Sequence, residues 1–237
     1  LFVIQESRSI FPGTTDNHYP KSNIIKDYFL KVNSSERKLF DTKYISGNHN
    51  NINLLPMTEG DLKNCSLEFL KDFLKSDLYI VFGSSFIKGD LLDFLIKNKA
   101  INIHMGISPF YRGTDCNFWA LYDGNPHLVG ATIHLLSKGL DSGPILYHAL
   151  SDLKDNPNLY TMSTVKSAFN SLTDKIKDKS IFNIKPHVQD NTKEIRYSKN
   201  TDFNEDSLKI FLSKKIDINN KNFDLNLYKD AYILKKI

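Results

Sequence analysis

Cysteine is scarce in this sequence, and long apolar runs are absent from it. Only two cysteines, Cys65 and Cys116, occur among its 237 residues. So low a count argues against a disulfide scaffold and favours a reducing compartment. No apolar run approaches the roughly 20 residues that a membrane-spanning helix needs, and the first residues show no signal-peptide pattern. We therefore expect a cytoplasmic protein that does not enter a membrane.

Several standard catalytic and binding motifs are also missing. The chain has no G-x-G-x-x-G fingerprint, no Walker phosphate loop and no G-x-S-x-G nucleophile elbow. Its seven histidines and two cysteines form no H-E-x-x-H or paired C-x-x-C pattern, so we expect no bound metal. The net charge of +4 is spread along the chain. It is a weak indication of anionic ligands and does not support a nucleic-acid partner.

What the sequence does contain is a regular alternation of helical and strand-like segments. The apolar run 78–82 predicts a parallel strand covered on both faces. A helix with Asp90 as its cap follows, and 101–104 predicts the next strand, so the two strand ends should share one edge of a sheet. With 41% hydrophobic and 24% charged residues, the chain is typical of a globular α/β protein, and we predict a mostly parallel sheet.

Further elements follow from the same patterns. Ser66 can cap a helix over 67–76, and adjacent strands at 130–136 and 145–150 are joined by a glycine-rich loop that carries Asp141. The remaining predictions are a strand at 1–4, a turn at 12–17, helices within 22–40 and over 162–180, and a polar loop at 46–53 with an exposed His49. Beyond Pro186 the composition shifts to lysine, asparagine and aspartate. We therefore predict a main domain over 1–185 and a small C-terminal subdomain over 186–237.

Polar residues on the predicted strand 101–104 are the first indication of function. Side chains alternate between the two faces of a strand, so Asn102 and His104 share one face. An amide and an imidazole on an apolar strand are costly unless they are hydrogen bonded or used. Gly106 and Ser108-Pro109 then end the strand, which places both groups where open α/β sheets bind their ligands.

Together these groups could stabilise an oxyanion during acyl transfer. An asparagine amide and a protonated histidine can both donate to a negative oxygen. Asp141 could keep that histidine charged and relay a proton. No serine or cysteine is set beside His104, which favours a nucleophile supplied by the substrate. The tripeptide N-x-H is common, however, and on its own it is better explained as structure. His134 and His148 are also interpreted as structural histidines, and Trp119 as a core anchor.

The longer pattern carries a resemblance. Asn-x-His-x-Gly-x-Ser-Pro-x-Tyr-Arg-Gly over 102–113, then Gly-Ala-Thr-Ile-His from 130 and Gly-Leu-Asp-Ser-Gly-Pro-Ile from 139, resembles the N10-formyltetrahydrofolate-dependent formyltransferases. The likeness covers 78–150 well and the rest of the chain weakly. It implies a Rossmann-like fold and a catalytic trio of Asn102, His104 and Asp141.

The resemblance also implies binding sites. The N10-formyltetrahydrofolate donor would lie against main chain at Ser85, Phe86 and Ile87 and against the loop 138–142. That loop includes Gly139 and Leu140. The residues implied for the acceptor are Ser108, Tyr111, Arg112 and Gly113.

The segment 112–119 resembles the R-G-x-D-x-N-x-W pattern of the sugar N-formyltransferases. This likeness implies formylation of an amino sugar carried on a nucleotide diphosphate, such as a 4-amino-4,6-dideoxyhexose, for surface polysaccharide or lipopolysaccharide synthesis. Glycinamide ribonucleotide and methionyl-tRNA remain alternative acceptors, as does water in a deformylation. A non-catalytic folate- or sugar-nucleotide-binding module and a purely structural domain are the non-enzymatic alternatives. A homodimer through the C-terminal tail is a further expectation.

Overall fold

A computed structural model of the chain describes residues 1–7, 22–40 and 51–216, together with the backbone of 232–234. Its helices are α1 (Asn23–Leu39), α2 (Leu67–Leu70), α3 (Gly89–Lys97), α4 (Cys116–Tyr122), α5 (Pro157–Lys177) and α6 (Glu205–Ser213). Its strands are β1 (Phe2–Ser7), β2 (Asn53–Thr58), β3 (Ile80–Phe82), β4 (Ile101–His104), β5 (Tyr111–Gly113), β6 (Ala131–Leu135), β7 (Ile145–Ser151), β8 (Arg196–Ser198) and β9 (Tyr232–Leu234). The predicted turn at 12–17 and residues 46–50 of the predicted loop, with His49, lie outside the described residues.

Five strands form the main sheet in the order β3-β4-β6-β7-β9. Strand β3 is parallel to β4, and β7 is parallel to β9, whereas β6 runs antiparallel to both of its neighbours. Two smaller sheets are parallel pairs, β1 with β2 and β5 with β8. Four of the six ladders between described strands are therefore parallel, which confirms the predicted α/β fold with a mostly parallel sheet.

Helix α5 covers part of the main sheet, and helix α4 belongs to a different core cluster. Helix α5 begins with Asn156 as its cap, whose side chain accepts from Leu159 N, and with a proline in its first turn, both of which favour helix initiation. Its buried Leu172 packs in one cluster with Ile133 of β6. Helix α4 buries Trp119, whose side chain is 3% exposed, so the prediction of a core anchor is confirmed.

Three local predictions differ from the structure. The helix from residue 67 ends at Leu70, because the amides of Phe73 and Leu74 both donate to Leu70 O and form overlapping turns instead. Lys88, and not Asp90, is the N-cap of α3, and Asp90 lies in the first turn, where a negative charge favours the helix dipole. Strand β3 is not covered on both faces.

The exposure of β3 follows from its place in the sheet. It is the outer strand beside β4, and Ile80 and Phe82 remain 47% and 44% exposed. A continuous apolar run therefore marks an edge strand here, although such runs are typical of central strands.

Elements beyond residue 186 pack against the rest of the chain. Strand β8 pairs with β5, and the amides of His187 and Ile145 exchange hydrogen bonds with each other's carbonyl oxygens. Helix α6 contributes Leu208 and Phe211 to the cluster that contains Phe118. A separate subdomain over 186–237 stays a prediction. Within the described ranges, no helix is both long and apolar enough to cross a membrane.

Candidate active site

Strand β4 places two polar side chains on one face of the sheet, a half-buried Asn102 and a buried His104. Asn102 and His104 alternate with the buried Ile101 and Ile103, as the period of a strand requires. On the neighbouring antiparallel strand β6, His134 lies opposite Asn102 in the ladder. The pairing therefore brings a second imidazole to the same face of the sheet.

The Asp141 carboxylate lies between the amide and the imidazole of β4. Asn102 Nδ2 donates to Asp141 Oδ1 over 3.4 Å, and His104 Nδ1 lies 3.3 Å from Asp141 Oδ2. The Asp141 side chain is 8% exposed and its backbone is left-handed, with φ of 49°. Asn102 and His104 thus both face the carboxylate of Asp141, so the three predicted catalytic residues lie together.

The imidazole of His104 faces an acceptor on both sides. Its Nε2 lies 3.1 Å from Tyr111 O, while Nδ1 faces Asp141. Only a doubly protonated ring can donate to both, so the surroundings suit a cationic His104. Gly106 makes this placement possible, because a Cβ at that position would lie 2.6 Å from His104 Nε2.

His134 also contacts the trio, and this contact was not predicted from the sequence. Its Nε2 lies 3.0 Å from Asn102 Nδ2, and its Nδ1 lies 2.8 Å from Leu135 O. Burial lowers the pKa of His134 to about 4, so the neutral ring donates from Nδ1 and accepts at Nε2. Both nitrogens have partners, as expected of a structural histidine, but one partner is the candidate catalytic amide. A prediction of the β4–β6 register from the sequence would have placed His134 opposite Asn102 and so indicated the contact.

Each donor of the trio thus has a protein acceptor in this structure. Asn102 Nδ2 has two hydrogens, one for His134 and one for Asp141. The contacts to Asp141, at 3.3 and 3.4 Å, are the longest of the set. A substrate oxygen would therefore compete most easily for the donors that now face Asp141.

The loop after β3, predicted to hold the folate donor, is fixed by an unpredicted carboxylate. Glu6 on β1 accepts hydrogen bonds from Ser85 N and Ser85 Oγ, each over 2.8 Å, and from Gly60 N over 2.9 Å. Burial alone would raise the pKa of Glu6, but these hydrogen bonds outweigh it and lower the pKa below its ordinary value. The sequence offers no local sign of this contact, which joins residues 79 positions apart.

Exposed apolar side chains occur on both predicted folate-binding loops. Phe86 is 60% exposed and Leu140 is 39% exposed, whereas Ile87 is buried in the core. Gly139 lies in the exposed part of the second loop. Lys138 Nζ lies 3.5 Å from Asp93 Oδ1 of α3, which links the second loop to the helix that follows the first.

The residues predicted to bind the acceptor divide into two groups. Ser108 and Tyr111 have no exposed surface, so they fill the interior and cannot touch a substrate in this geometry. Arg112 donates to Glu194 Oε2 and to Leu140 O. The amide of Gly113 donates to Asp141 Oδ2 over 3.3 Å, and the Ser198 carbonyl occupies the space that a Cβ of Gly113 would need. Of the four residues predicted to bind the acceptor, only Arg112 and Gly113 lie beside Asp141 or its loop with surface left to contact a substrate.

Residues 67–176 match the family model described as formyl transferase. Just under half of the chain thus matches a formyl transferase domain. The matched range includes Asn102, His104 and Asp141, whereas Glu6 and every residue after 176 lie outside it. Within the described residues, no three His, Cys, Asp or Glu side chains are grouped as a metal site would need.

Individual relatives are similar to parts of this domain. The chain is 37% identical over 67 residues to a methionyl-tRNA formyltransferase of Thermodesulfovibrio yellowstonii, which is 28% of this chain and 21% of the relative. It is 33% identical over 109 residues to the mitochondrial formyltetrahydrofolate deformylase 2 of Arabidopsis thaliana, which is 44% of this chain and 31% of the relative. The chain thus spans less than a third of the length of either curated relative.

A solved structure extends the likeness of the fold. The formyltransferase PseJ from Anoxybacillus kamchatkensis, in complex with UDP-4,6-dideoxy-4-formamido-L-AltNAc and tetrahydrofolate, is similar at a TM-score of 0.50. The match covers 74% of this chain and 82% of that one, at 19% sequence identity. The predicted formyltransferase fold is confirmed by this likeness.

Proposed function

We propose that this chain transfers a formyl group from N10-formyltetrahydrofolate to the amine of a nucleotide-linked amino sugar. The observation that carries the proposal is the convergence of Asn102 and His104 on the Asp141 carboxylate, within a formyl transferase domain. An amide and a cationic ring beside one carboxylate are the groups that acyl transfer to an amine requires.

The roles of the three residues follow from their contacts. When bound, the formyl donor supplies an electrophilic carbon with a carbonyl oxygen that gains negative charge as the amine attacks. Asn102 donates an Nδ2 hydrogen to that oxygen in place of Asp141 Oδ1, and the cationic His104 adds a second donor. Asp141 keeps His104 charged and accepts the amine proton, directly or through a water molecule. The bond from the formyl carbon to N10 then breaks as the carbonyl forms again, and N10 of the released tetrahydrofolate takes up that proton.

The donor is proposed to lie between the loop after β3 and the loop 138–142. Main chain at Ser85, Phe86 and Ile87 and at Gly139 and Leu140 would provide hydrogen bonds to the polar edges of the pterin. The exposed side chains of Phe86 and Leu140 would cover its faces. Glu6 keeps Ser85 in place by the hydrogen bonds described above.

A sugar acceptor is favoured over the other amines by two features. The segment 112–119 resembles the sugar N-formyltransferase pattern, and the similar Anoxybacillus kamchatkensis enzyme was solved with a UDP-linked formamido sugar. A role in surface polysaccharide synthesis in the cytoplasm follows from this choice. Homodimer formation remains part of the same proposal.

The test is a formylation assay with several acceptors. Purified protein and N10-formyltetrahydrofolate are incubated with UDP- or dTDP-linked 4-amino-4,6-dideoxyhexoses, with glycinamide ribonucleotide, or with methionyl-tRNA, and products are identified by mass spectrometry. Formylation of a nucleotide-linked sugar alone is expected. Formylation of one of the other two amines instead would replace the sugar by that acceptor.

Two asparagine variants connect the assay to the site. Asn102→Ala should lower kcat by about 10²- to 10³-fold, because it removes one oxyanion donor. Asn98→Ala, which alters an exposed amide bonded to Phe94 O, should leave kcat unchanged. Equal effects of the two substitutions would contradict the role of Asn102.

Deformylation, with water as the acceptor, is the second candidate function. It is favoured by the 33% identity to the Arabidopsis thaliana deformylase. Release of formate from N10-formyltetrahydrofolate without any amine would support it. Ligand binding with neither formate nor a formylated product would instead indicate a binding module.

A further inference from the structure

Gln189 reaches the loop of Asp141 from a part of the chain beyond the family match. Its side chain is 8% exposed, and its Nε2 donates to Asp141 O over 2.8 Å and to Gly143 O over 2.7 Å. The first of these hydrogen bonds joins residues 48 positions apart. Both hydrogens of one amide are therefore used on the two carbonyl groups that flank Ser142.

The backbone before Gln189 is itself held against the sheet. Ile145 N donates to His187 O over 2.7 Å, and His187 N donates to Ile145 O over 2.8 Å. Ile145 is the first residue of β7 and follows directly on the loop of Asp141. The segment that delivers Gln189 is thus anchored two residues before the glutamine, at the end of the loop that it contacts.

The orientation of the Gln189 amide indicates that its donor groups are what the site uses. Rotation of the amide by half a turn would place Oε1 against two carbonyl oxygens, which is repulsive. In the observed orientation Oε1 is buried and has no hydrogen-bond partner in this structure. A buried acceptor left in this way costs free energy, because it has given up its hydrogen bonds to water. An apolar side chain of similar length would avoid that cost but would leave two carbonyl groups without donors.

Asp141 needs support of this kind, because its backbone is in an uncommon conformation. A left-handed φ is unfavourable for a residue that carries a Cβ, and Asp141 holds φ at 49°. That conformation directs the carboxylate towards Asn102 and His104.

We propose that Gln189 is a positioning residue for Asp141. Its two hydrogen bonds fix the backbone at Asp141 and Gly143, so that the carboxylate lies between Asn102 and His104. The effect on turnover rests on the proposed function, whereas the effect on the geometry does not. The segment after residue 186 is therefore part of the catalytic unit, although the family match ends at residue 176.

The first test compares two glutamine variants in the sugar formylation assay. Gln189→Met retains the approximate length of the side chain and removes both donors. It should lower kcat by about 10²-fold, the cost of a displacement of about 1 Å at a catalytic group, while KM for the amino sugar changes less than about threefold. Gln5→Met, at an exposed position on β1, is the matched control and should leave kcat unchanged. An unchanged kcat in Gln189→Met would overturn the proposal.

Gln189→Glu provides a second variant with a pH readout. The introduced carboxyl group faces two carbonyl oxygens, so it should take up a proton more readily than an exposed one and then donate one hydrogen bond. The activity of Gln189→Glu relative to the unaltered protein should therefore rise as pH falls from 8 to 5.5. The relative activity of Gln189→Met should stay flat. If the relative activities of the two variants changed with pH in the same way, loss of the Gln189 donors would not be the cause of the lower activity. Gln189→Glu also carries the test if Gln189→Met does not fold.

A nuclear magnetic resonance measurement tests the geometry without any substrate. The His104 Nδ1 proton that faces Asp141 should give a downfield resonance, identified by its loss in Asp141→Asn. In Gln189→Met this resonance should shift upfield or broaden, and in Gln5→Met it should not. If the unaltered protein transfers no formyl group, the proposed function fails while this measurement still decides the role of Gln189. An unchanged His104 resonance in Gln189→Met would refute that role.

Discussion

At the scale of single residues, the protonation of His134 determines which way the Asn102 amide faces. Since His134 Nδ1 donates to Leu135 O, its Nε2 can accept from Asn102 only while the ring is neutral. A proton on Nε2 would turn this attraction into repulsion between two donors. The buried ring therefore holds the amide with its Nδ2 group towards Asp141.

Acid should destabilise the fold through His134. Burial lowers the pKa of this side chain from 6.5 to about 4. Between these values the unfolded chain binds more protons than the folded one, so the free energy of unfolding falls as pH drops from about 6.5 to 4. The contribution of this residue is at most about 3 kcal/mol, and urea unfolding at pH 7 and pH 4.5 measures it.

Two histidine variants separate this contribution from those of the other groups. His134→Gln, whose amide oxygen can still accept from Asn102, should lower the loss of stability between pH 7 and 4.5. His187→Gln, at an exposed side chain, should leave that loss as it is. Equal pH dependence in the unaltered protein and in His134→Gln would contradict the assignment.

At the scale of elements, strand β1 supports the loop after β3 through one carboxylate. The Glu6 carboxylate accepts two hydrogen bonds from Ser85. Glu6→Gln replaces it by an amide with one acceptor oxygen and one donor nitrogen, so the loop after β3 should become less well fixed. We expect about 10-fold weaker binding of 5-formyltetrahydrofolate, because one hydrogen bond to a charged group is worth about 1.5 kcal/mol or more. Calorimetric titration gives the dissociation constant.

The control for this substitution is an exposed glutamate in α2. Glu68 pairs with Lys71 at the surface, and Glu68→Gln should bind the folate as the unaltered protein does. If Glu6→Gln also binds normally, the loop does not depend on β1.

The same elements show which parts of the site a sequence can predict. The period of a strand placed Asn102 and His104 on one face, and the hairpin pattern placed Asp141 on the β6–β7 connection. Assigning the three residues to one centre required the family resemblance. Glu6 and Gln189 could not be found in this way, because each acts on a loop 46 or more positions away, and such pairs leave no periodic pattern in the sequence.

At the scale of the whole molecule, the segment after residue 186 is joined to the domain by charge as well as by packing. Arg196 of β8 donates to both carboxylate oxygens of Asp123, over 2.9 and 2.7 Å. Its guanidinium lies 4.5 Å from the centre of the Trp119 ring. A bidentate ion pair over an aromatic ring is among the stronger polar contacts. We therefore expect both parts of the chain to unfold in one transition.

Two adjacent residues of α6 test this cooperativity. Phe211 is 5% exposed in the cluster of Phe118, while Leu212 is 53% exposed. Phe211→Ala should lower the free energy of unfolding of the whole protein by about 3–5 kcal/mol, and Leu212→Ala should change it by less than about 1 kcal/mol. Denaturant titration followed by both tryptophan fluorescence and circular dichroism measures the change. Two separate transitions would favour an independent subdomain.

Gly106 has a consequence for any attempt to alter this protein by random mutagenesis. The space at this position is occupied on two sides, by Cys116 and by the His104 ring, so even one methyl group would push the ring off its partners. A saturation library at residue 106 should therefore return glycine alone among active clones. A position without a functional group would then be as intolerant of change as the reacting residues themselves.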